Sequence, residues 1–254
     1  MTGWNDLFAE LDRWPAGKAT FWWRDDDATI HTAALARLLA MSDLPLSIAV
    51  VPAAMRVSLA EQIAEARIDV LQHGFSHTNY QPDDSKKAEL GDARPLPVIQ
   101  EELRRGWQRL SVLFGKRALR VLVPPWNRID AKVAATLTSL GYVGLSAGLA
   151  PREAPGEGGG DGLIRTNTHI DIVDWTKQPR RFAGETVALD HAIGHLAARR
   201  TGEADGEETT GFMTHHLAMD DDSFSFAAEF LKRTSAHPAV QWRAARDIFA
   251  AGKG

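Results

Sequence analysis

The chain reads as an α/β protein built on a parallel sheet, and three features predict it. Short apolar runs alternate with segments of helical periodicity along the whole length. The polar clusters fall at the C-terminal ends of the apolar runs, the edge where parallel sheets present their ligands. Finally, 254 residues with 44% hydrophobic and 24% charged side chains are an ordinary globular composition, ample for one core. A single domain over 1–254 is expected. Alternation of this kind fits a barrel and an open doubly wound sheet equally.

The elements follow in order. Thr2 or Asn5 caps a first helix that ends near Pro15. ATFWWR (19–24) is a buried strand running into Asp25, Asp26 and Asp27. HTAALARLLAM carries helical spacing, LPLSIAVVP is a second strand stopped by Pro52, and SLAEQIAEAR a helix. IDVLQH is a third strand that delivers His73 into HGFSH. A polar loop, 80–95, precedes the long helix VIQEELRRGWQRLSVLF. ALRVLVPPW is a strand ending in a Pro-Pro-Trp turn, and DAKVAATLTSLGY a helix with Gly141 as its C-cap. VGLSAG is a short strand. Residues 153–162 are a Gly-rich loop, and LIRTNTHIDIVDW is one long strand. Residues 185–200 form a helix, 201–211 a second polar loop, and GFMTHH a strand ending on His215 and His216. A helix over 221–236 and a last strand and helix in VQWRAARDIFAA complete roughly seven strands.

Composition narrows the function. The net charge of −4 offers no basic footprint for nucleic acid. There is no cysteine, which removes disulfides, thiolate metal sites and a cysteine nucleophile. Any metal must be held by His, Asp, Glu or water. No leader-like segment and no run of 18 apolar residues occurs, so a cytoplasmic location and no membrane span are expected.

The chemistry gathers in five clusters: DDD, HGFSH, PPWNR, DIVDW and THH. His73 and His77 with one carboxylate would make a two-imidazole, one-carboxylate hydrolytic metal site with an open position. The aspartate run can supply that carboxylate and a neighbouring base for the attacking water. A histidine of the THH run can act as general acid. Asp171 or Asp174 can hold an imidazole in one tautomer. Trp126 and Trp175 offer faces on which sugar rings stack, or simply pack in the core.

In order and spacing these clusters resemble the five motifs of the NodB-homology polysaccharide deacetylases, carbohydrate esterase family four, over about Phe21 to His216. The resemblance implies a distorted (β/α) barrel of about seven parallel strands. It implies Asp26 as base, with Asp27, His73 and His77 as ligands of a divalent metal, zinc in the first place, with cobalt, nickel or manganese as alternatives. It implies His215 as acid oriented by Asp174, and Trp126, Trp175 and Arg128 at the substrate. The substrate is expected to be a small molecule or glycan carrying an N-acetylated sugar. Three departures stand out. The third aspartate allows a second register, Asp25 and Asp26. Val123 stands where the family has the arginine that orients the base, a role open to Arg24 or Arg128. His216 follows His215, so either could be the acid. A non-catalytic glycan- or metal-binding relative and a hydrolase of a non-sugar amide are the alternative readings.

Overall fold

The computed structural model describes residues 2–64, 66–148 and 162–250. Strands are β1 (Ala19–Ala28), β2 (Leu46–Val50), β3 (Ile68–His73), β4 (Ala118–Val123), β5 (Gly144–Leu145), β6 (Ile164–Arg165), β7 (Ile170–Asp171), β8 (Val173–Asp174), β9 (Arg181–Phe182), β10 (Thr210–Thr214) and β11 (Val240–Trp242). Helices are α1 (Trp4–Leu11), α2 (Ala33–Leu39), α3 (Ser58–Gln62), α4 (Leu96–Phe114), α5 (Ala131–Ala134), α6 (Glu185–Thr201), α7 (Asp221–Ser235) and α8 (Ala245–Ala250).

The main sheet runs β6-β5-β4-β3-β2-β1-β10-β7, with β11 also paired to β1, and every pair in it is parallel. Its two ends, β6 and β7, are separated by only residues 166–169. Five residue steps span at most about 18 Å. Eight strands laid flat would be roughly 34 Å across at ~4.8 Å per strand. The sheet therefore has to curl until its edges approach. Consecutive residues of the link stitch the seam: Thr168 N–H donates to Ala147 C=O beside β5 (3.1 Å), and His169 N–H to Gly211 C=O on β10 (2.8 Å). The result is a distorted (β/α) half-barrel. The single long strand expected over LIRTNTHIDIVDW is thus three short ones, because the chain crosses the barrel there; β8 pairs antiparallel with β9 outside the main sheet.

The central strands are apolar because both faces are covered. All of β2 and β3 is buried, as are Phe21, Trp22 and Trp23 of β1. Helix α4 buries Ile99, Leu103, Gly106, Leu110 and Phe114, a stripe at intervals of three and four. Gly106 is required there: a Cβ would lie 2.3 Å from Gln72 Nε2 on β3. Thr32 caps α2 by accepting from Leu35 N–H, and Asp220 caps α7 by accepting from Ser223 N–H. The loop expected over 153–162 lies outside the described residues except for Gly162. The polar loop expected over 201–211 is no loose excursion, since Ala204, Asp205, Glu208 and Thr209 are all buried.

Candidate active site

The aspartate run is part of β1, and its geometry separates the three carboxylates. Side chains alternate along a strand, so Arg24 and Asp26 share one face and Asp25 takes the other. On its face Asp25 accepts from the Thr214 hydroxyl (2.7 Å) and His216 N–H (3.0 Å), and its other oxygen meets His216 Nδ1 at 2.5 Å. Both residues are fully enclosed. Burial pulls the His216 imidazole down, but the charge and hydrogen bond of Asp25 outweigh it and raise its pKa. Asp27 would follow Asp25 in a regular strand. Instead its φ of 73° and a register shift between Asp25 and Ala28 turn it toward the histidines.

Asp27 Oδ1 lies 3.1 Å from His73 Nε2 and 3.2 Å from His77 Nε2. The three atoms form one of two His/His/carboxylate groups compact enough for a cation among the described residues. His73 Nδ1 meets Val123 C=O at 3.0 Å. A carbonyl only accepts, so Nδ1 carries the proton and the neutral ring turns its Nε2 lone pair toward Asp27. A lone pair and a carboxylate oxygen at that distance repel unless a cation or a proton lies between them. The donor set therefore fits a divalent metal. Without one, burial lowers the His73 pKa, but the Asp27 hydrogen bond and the charges of Asp26 and Asp27 raise it further than burial lowers it. Asp27 is held well below the usual carboxylate range, its burial outweighed by His73 and the other histidines. His77 is pushed down by burial and by the charge of His73.

The loop carrying His77 is built by a residue that sequence patterns do not mark. Glu89, fully buried, accepts from the N–H groups of Phe75 (3.0 Å), Ser76 (2.8 Å) and His77 (3.0 Å). Burial raises its pKa against the pull of these three donors. The loop passes through left-handed backbone at Gly74 and His77, and a Cβ on Gly74 would strike Glu89 Oε2 at 2.3 Å.

Val123 has no arginine, and the structure puts Arg24 beside Asp26 instead. Its Nη2 donates to Asp26 Oδ2 (2.9 Å) and its Nε lies 2.8 Å from Oδ1. The guanidinium is itself pinned by Ser146 Oγ (2.6 Å) and Asn127 Oδ1 (2.9 Å). Arg128 lines the same cavity but donates to Lys87 C=O (3.0 Å). His215 Nε2 stands 3.8 Å from Asp26 Oδ2, and its ring meets Trp175 edge-on at 4.7 Å. His216 is turned away into the Asp25 network.

Asp174 is not brought to His215. Its Oδ1 accepts from the N–H and hydroxyl of Thr176 in an exposed turn, which lowers its pKa. Of the two DIVDW carboxylates it is Asp171, three residues earlier, that lines the pocket, and its Oδ2 accepts from Trp175 Nε1–H at 2.7 Å. The order DIVDW did not distinguish the two. Trp126 sits at a left-handed position (φ 55°) and lies 4.4 Å from His77, ring to ring. Asp26, Asp27, His73, His77, His215, Asp171, Trp126, Trp175 and Arg128 line one cavity of about 460 Å³, with Lys87, Asn127, Met213 and Arg180 completing its walls.

The second His/His/carboxylate group is His169, His195 and Glu208, all buried. Both Nε2 atoms lie 3.4 Å from Glu208 Oε2, and the rings stack nearly parallel with centroids 3.3 Å apart. Gly211 N–H donates to His169 Nδ1 (3.0 Å), which forces that ring's proton onto Nε2. An Nε2–H cannot ligate a metal, and parallel stacked rings cannot aim two lone pairs at one ion. Glu208 also accepts from Asn167 N–H (2.9 Å), in the link that closes the barrel. This group is a buried clasp at the seam, its imidazoles within ion-pair distance of Glu208 and its outer atoms held by Gly211 N–H, Asn167 N–H and the Thr210 hydroxyl.

No protein-family model matches the sequence. No curated protein matches it either. Solved structures do match. A Mycobacterium smegmatis protein described as a polysaccharide deacetylase superimposes with a TM-score of 0.63 at 16% identity, covering 94% of this chain and 92% of its own. A family 4 acetyl xylan esterase from Clostridium thermocellum, in complex with cobalt, gives 0.55 at 12% identity over 91% of each chain. A family 4 pseudoenzyme from Bacillus anthracis gives 0.55 at 11% over 92% of this chain and 66% of that one. The chain therefore has the fold of the family 4 carbohydrate esterases and NodB-type polysaccharide deacetylases.

Proposed function

We propose that this protein is a metal-dependent amide hydrolase that removes an acetyl group from an N-acetylated amino sugar. The observation that carries the reading is the convergence on one cavity of a metal-ready triad, Asp27, His73 and His77, with a carboxylate and an imidazole that flank it, Asp26 and His215. A divalent ion held by the triad would supply Lewis acidity, polarising the acyl carbonyl and making the attacking water more acidic.

The chain's own groups divide the remaining work. Asp26 accepts the proton that the water loses. Arg24 fixes the Asp26 carboxylate at both oxygens and carries the balancing charge, which supports a working base despite the valine at position 123. His215, close to Asp26 Oδ2, gives a proton to the departing nitrogen. Trp175 holds the His215 ring on one side and is itself tied to Asp171, so Asp171 takes the orienting role expected of Asp174, acting through the indole. Trp126 and Trp175 frame the cavity as stacking faces for a sugar.

Similar solved structures include an acetyl xylan esterase and a pseudoenzyme, so activity has to be measured. Acetate release from N-acetylglucosamine and its derivatives, followed with zinc- or cobalt-loaded wild type and with Asp26→Asn, tests the reading. Release by the wild type that disappears in a variant still holding metal supports it. Metal retention without release from any N-acetylated sugar contradicts it.

A further inference from the structure

The walls of the cavity carry more positive charge than a neutral sugar requires. Lys87, Arg128 and Arg180 all line it, and among the described residues none of them pairs with a carboxylate. Their hydrogen bonds go to neutral carbonyls. Arg128 donates to Lys87 C=O, and Arg180 donates to the carbonyls of Trp175 and Lys177 while lying 5.4 Å from the Trp175 ring. Such bonds aim a guanidinium without neutralising it. Among the acids that line the cavity, Asp26 is balanced by Arg24 and Asp27 belongs to the candidate metal triad, which leaves Asp171 against three cations. This excess sits in a chain whose net charge is −4.

We propose that the substrate is a phosphorylated amino sugar, and that Lys87, Arg128 and Arg180 bind its phosphate at the mouth of the cavity. The proposal rests on the deacetylase reading for the sugar and on the three cations for the phosphate. Guanidinium forks match phosphate oxygens in pairs, and a lysine adds a movable point charge. A positive mouth on a negative protein also draws the anion to the site that uses it.

The test is equilibrium binding to zinc-loaded protein of three probes: N-acetylglucosamine, its 1-phosphate and its nucleoside-diphosphate ester. The two phosphorylated probes are expected to bind about tenfold or more tightly than the neutral sugar, the worth of one charged hydrogen bond or more. The advantage shrinks on raising salt from roughly 50 to roughly 500 mM, and in Lys87→Gln, Arg128→Gln and Arg180→Gln. Tighter binding of the diphosphate ester than of the monoester points to a nucleotide sugar; the reverse points to a free sugar phosphate. Equal affinity for phosphorylated and neutral probes, no binding of the phosphorylated ones, or a salt-independent preference overturns the proposal. Acetate release read alongside separates the two claims. Preferential phosphate binding with no release leaves the anion site standing and the deacetylase reading fallen. Release from the neutral sugar as efficient as from the phosphorylated ones does the opposite.

Discussion

Two groups of two histidines and one carboxylate occupy opposite ends of this barrel, and they are built for different work. Asp27, His73 and His77 lie at the C-terminal ends of β1 and β3; His169, His195 and Glu208 lie beside the N-terminal ends of β7 and β10. Composition and spacing of the ligand atoms do not tell them apart. The partner of Nδ1 does. A carbonyl, Val123, sits on His73 Nδ1 and leaves Nε2 a lone pair; a backbone N–H, Gly211, sits on His169 Nδ1 and puts the proton on Nε2. The first group faces a cavity, with Asp27 partly exposed, while the second is sealed. The first has a donor set that fits an ion and the second does not, and a single hydrogen bond to one ring of each group makes the difference.

The largest effect that would break this comparison comes from the ligands. His73→Ala or His77→Ala is expected to abolish metal binding and hydrolysis, whereas His195→Gln should leave the metal content of the folded protein unchanged; elemental analysis of the purified variants checks both. Next is Asp26→Asn, expected to lower kcat by about 10²–10⁴-fold with metal retained, since it removes the base without touching a ligand. Arg24→Gln should have a smaller effect of the same kind, of order 10–100-fold, by releasing Asp26 from its fixed orientation; single-turnover kinetics on metal-loaded protein measures both.

Glu89→Gln sharpens the metal end further. The amide has one acceptor oxygen where the carboxylate has two, so at least one of the three N–H groups behind His77 loses its partner. Metal affinity is expected to fall about 10–100-fold, measured by competition with a chelator.

The smallest effect belongs to the clasp and is read in stability. Burial, with Glu208 opposing it and His169 adding to it, lowers His195 to a pKa of about 4. His169 is lowered in the same direction, chiefly by burial. Glu208 lies well below its usual range, its burial outweighed by both imidazoles. A histidine with a depressed pKa binds its proton more readily when unfolded, so stability falls as pH drops from about 6.5 toward 4. The His195 shift alone corresponds to about 3 kcal/mol at most. Thermal unfolding against pH should show this acid loss in wild type and a flatter profile in His195→Gln. A wild-type profile that is level across this window would contradict the clasp.

How much of this was legible in the sequence follows from which features are local. The strands β1 to β4 announce themselves as apolar runs because both faces of a parallel sheet are covered, and the polar clusters at their ends mark the functional edge. The pairing of Arg24 with Asp26 follows from strand alternation once β1 is known to continue through the aspartates. The reversal at Asp27 does not, because it depends on a positive φ and a register shift with β2. Asp171 and Asp174 are three apart around two short strands, and only the fold says which faces the cavity. Glu89 and Glu208 each sit in acidic, polar segments resembling solvated loops, and their burial is a tertiary fact. The break of LIRTNTHIDIVDW into separate strands is likewise dictated by barrel closure, which no local pattern encodes.

The most direct measurement is the metal stoichiometry of the purified protein after incubation with zinc and removal of loosely bound ion. One zinc per chain, lost in His77→Ala and kept in His195→Gln, is the expected result. No zinc in the wild type, or a zinc that survives His77→Ala and disappears with His195→Gln, would contradict the assignment of the two clusters and with it the proposed hydrolase.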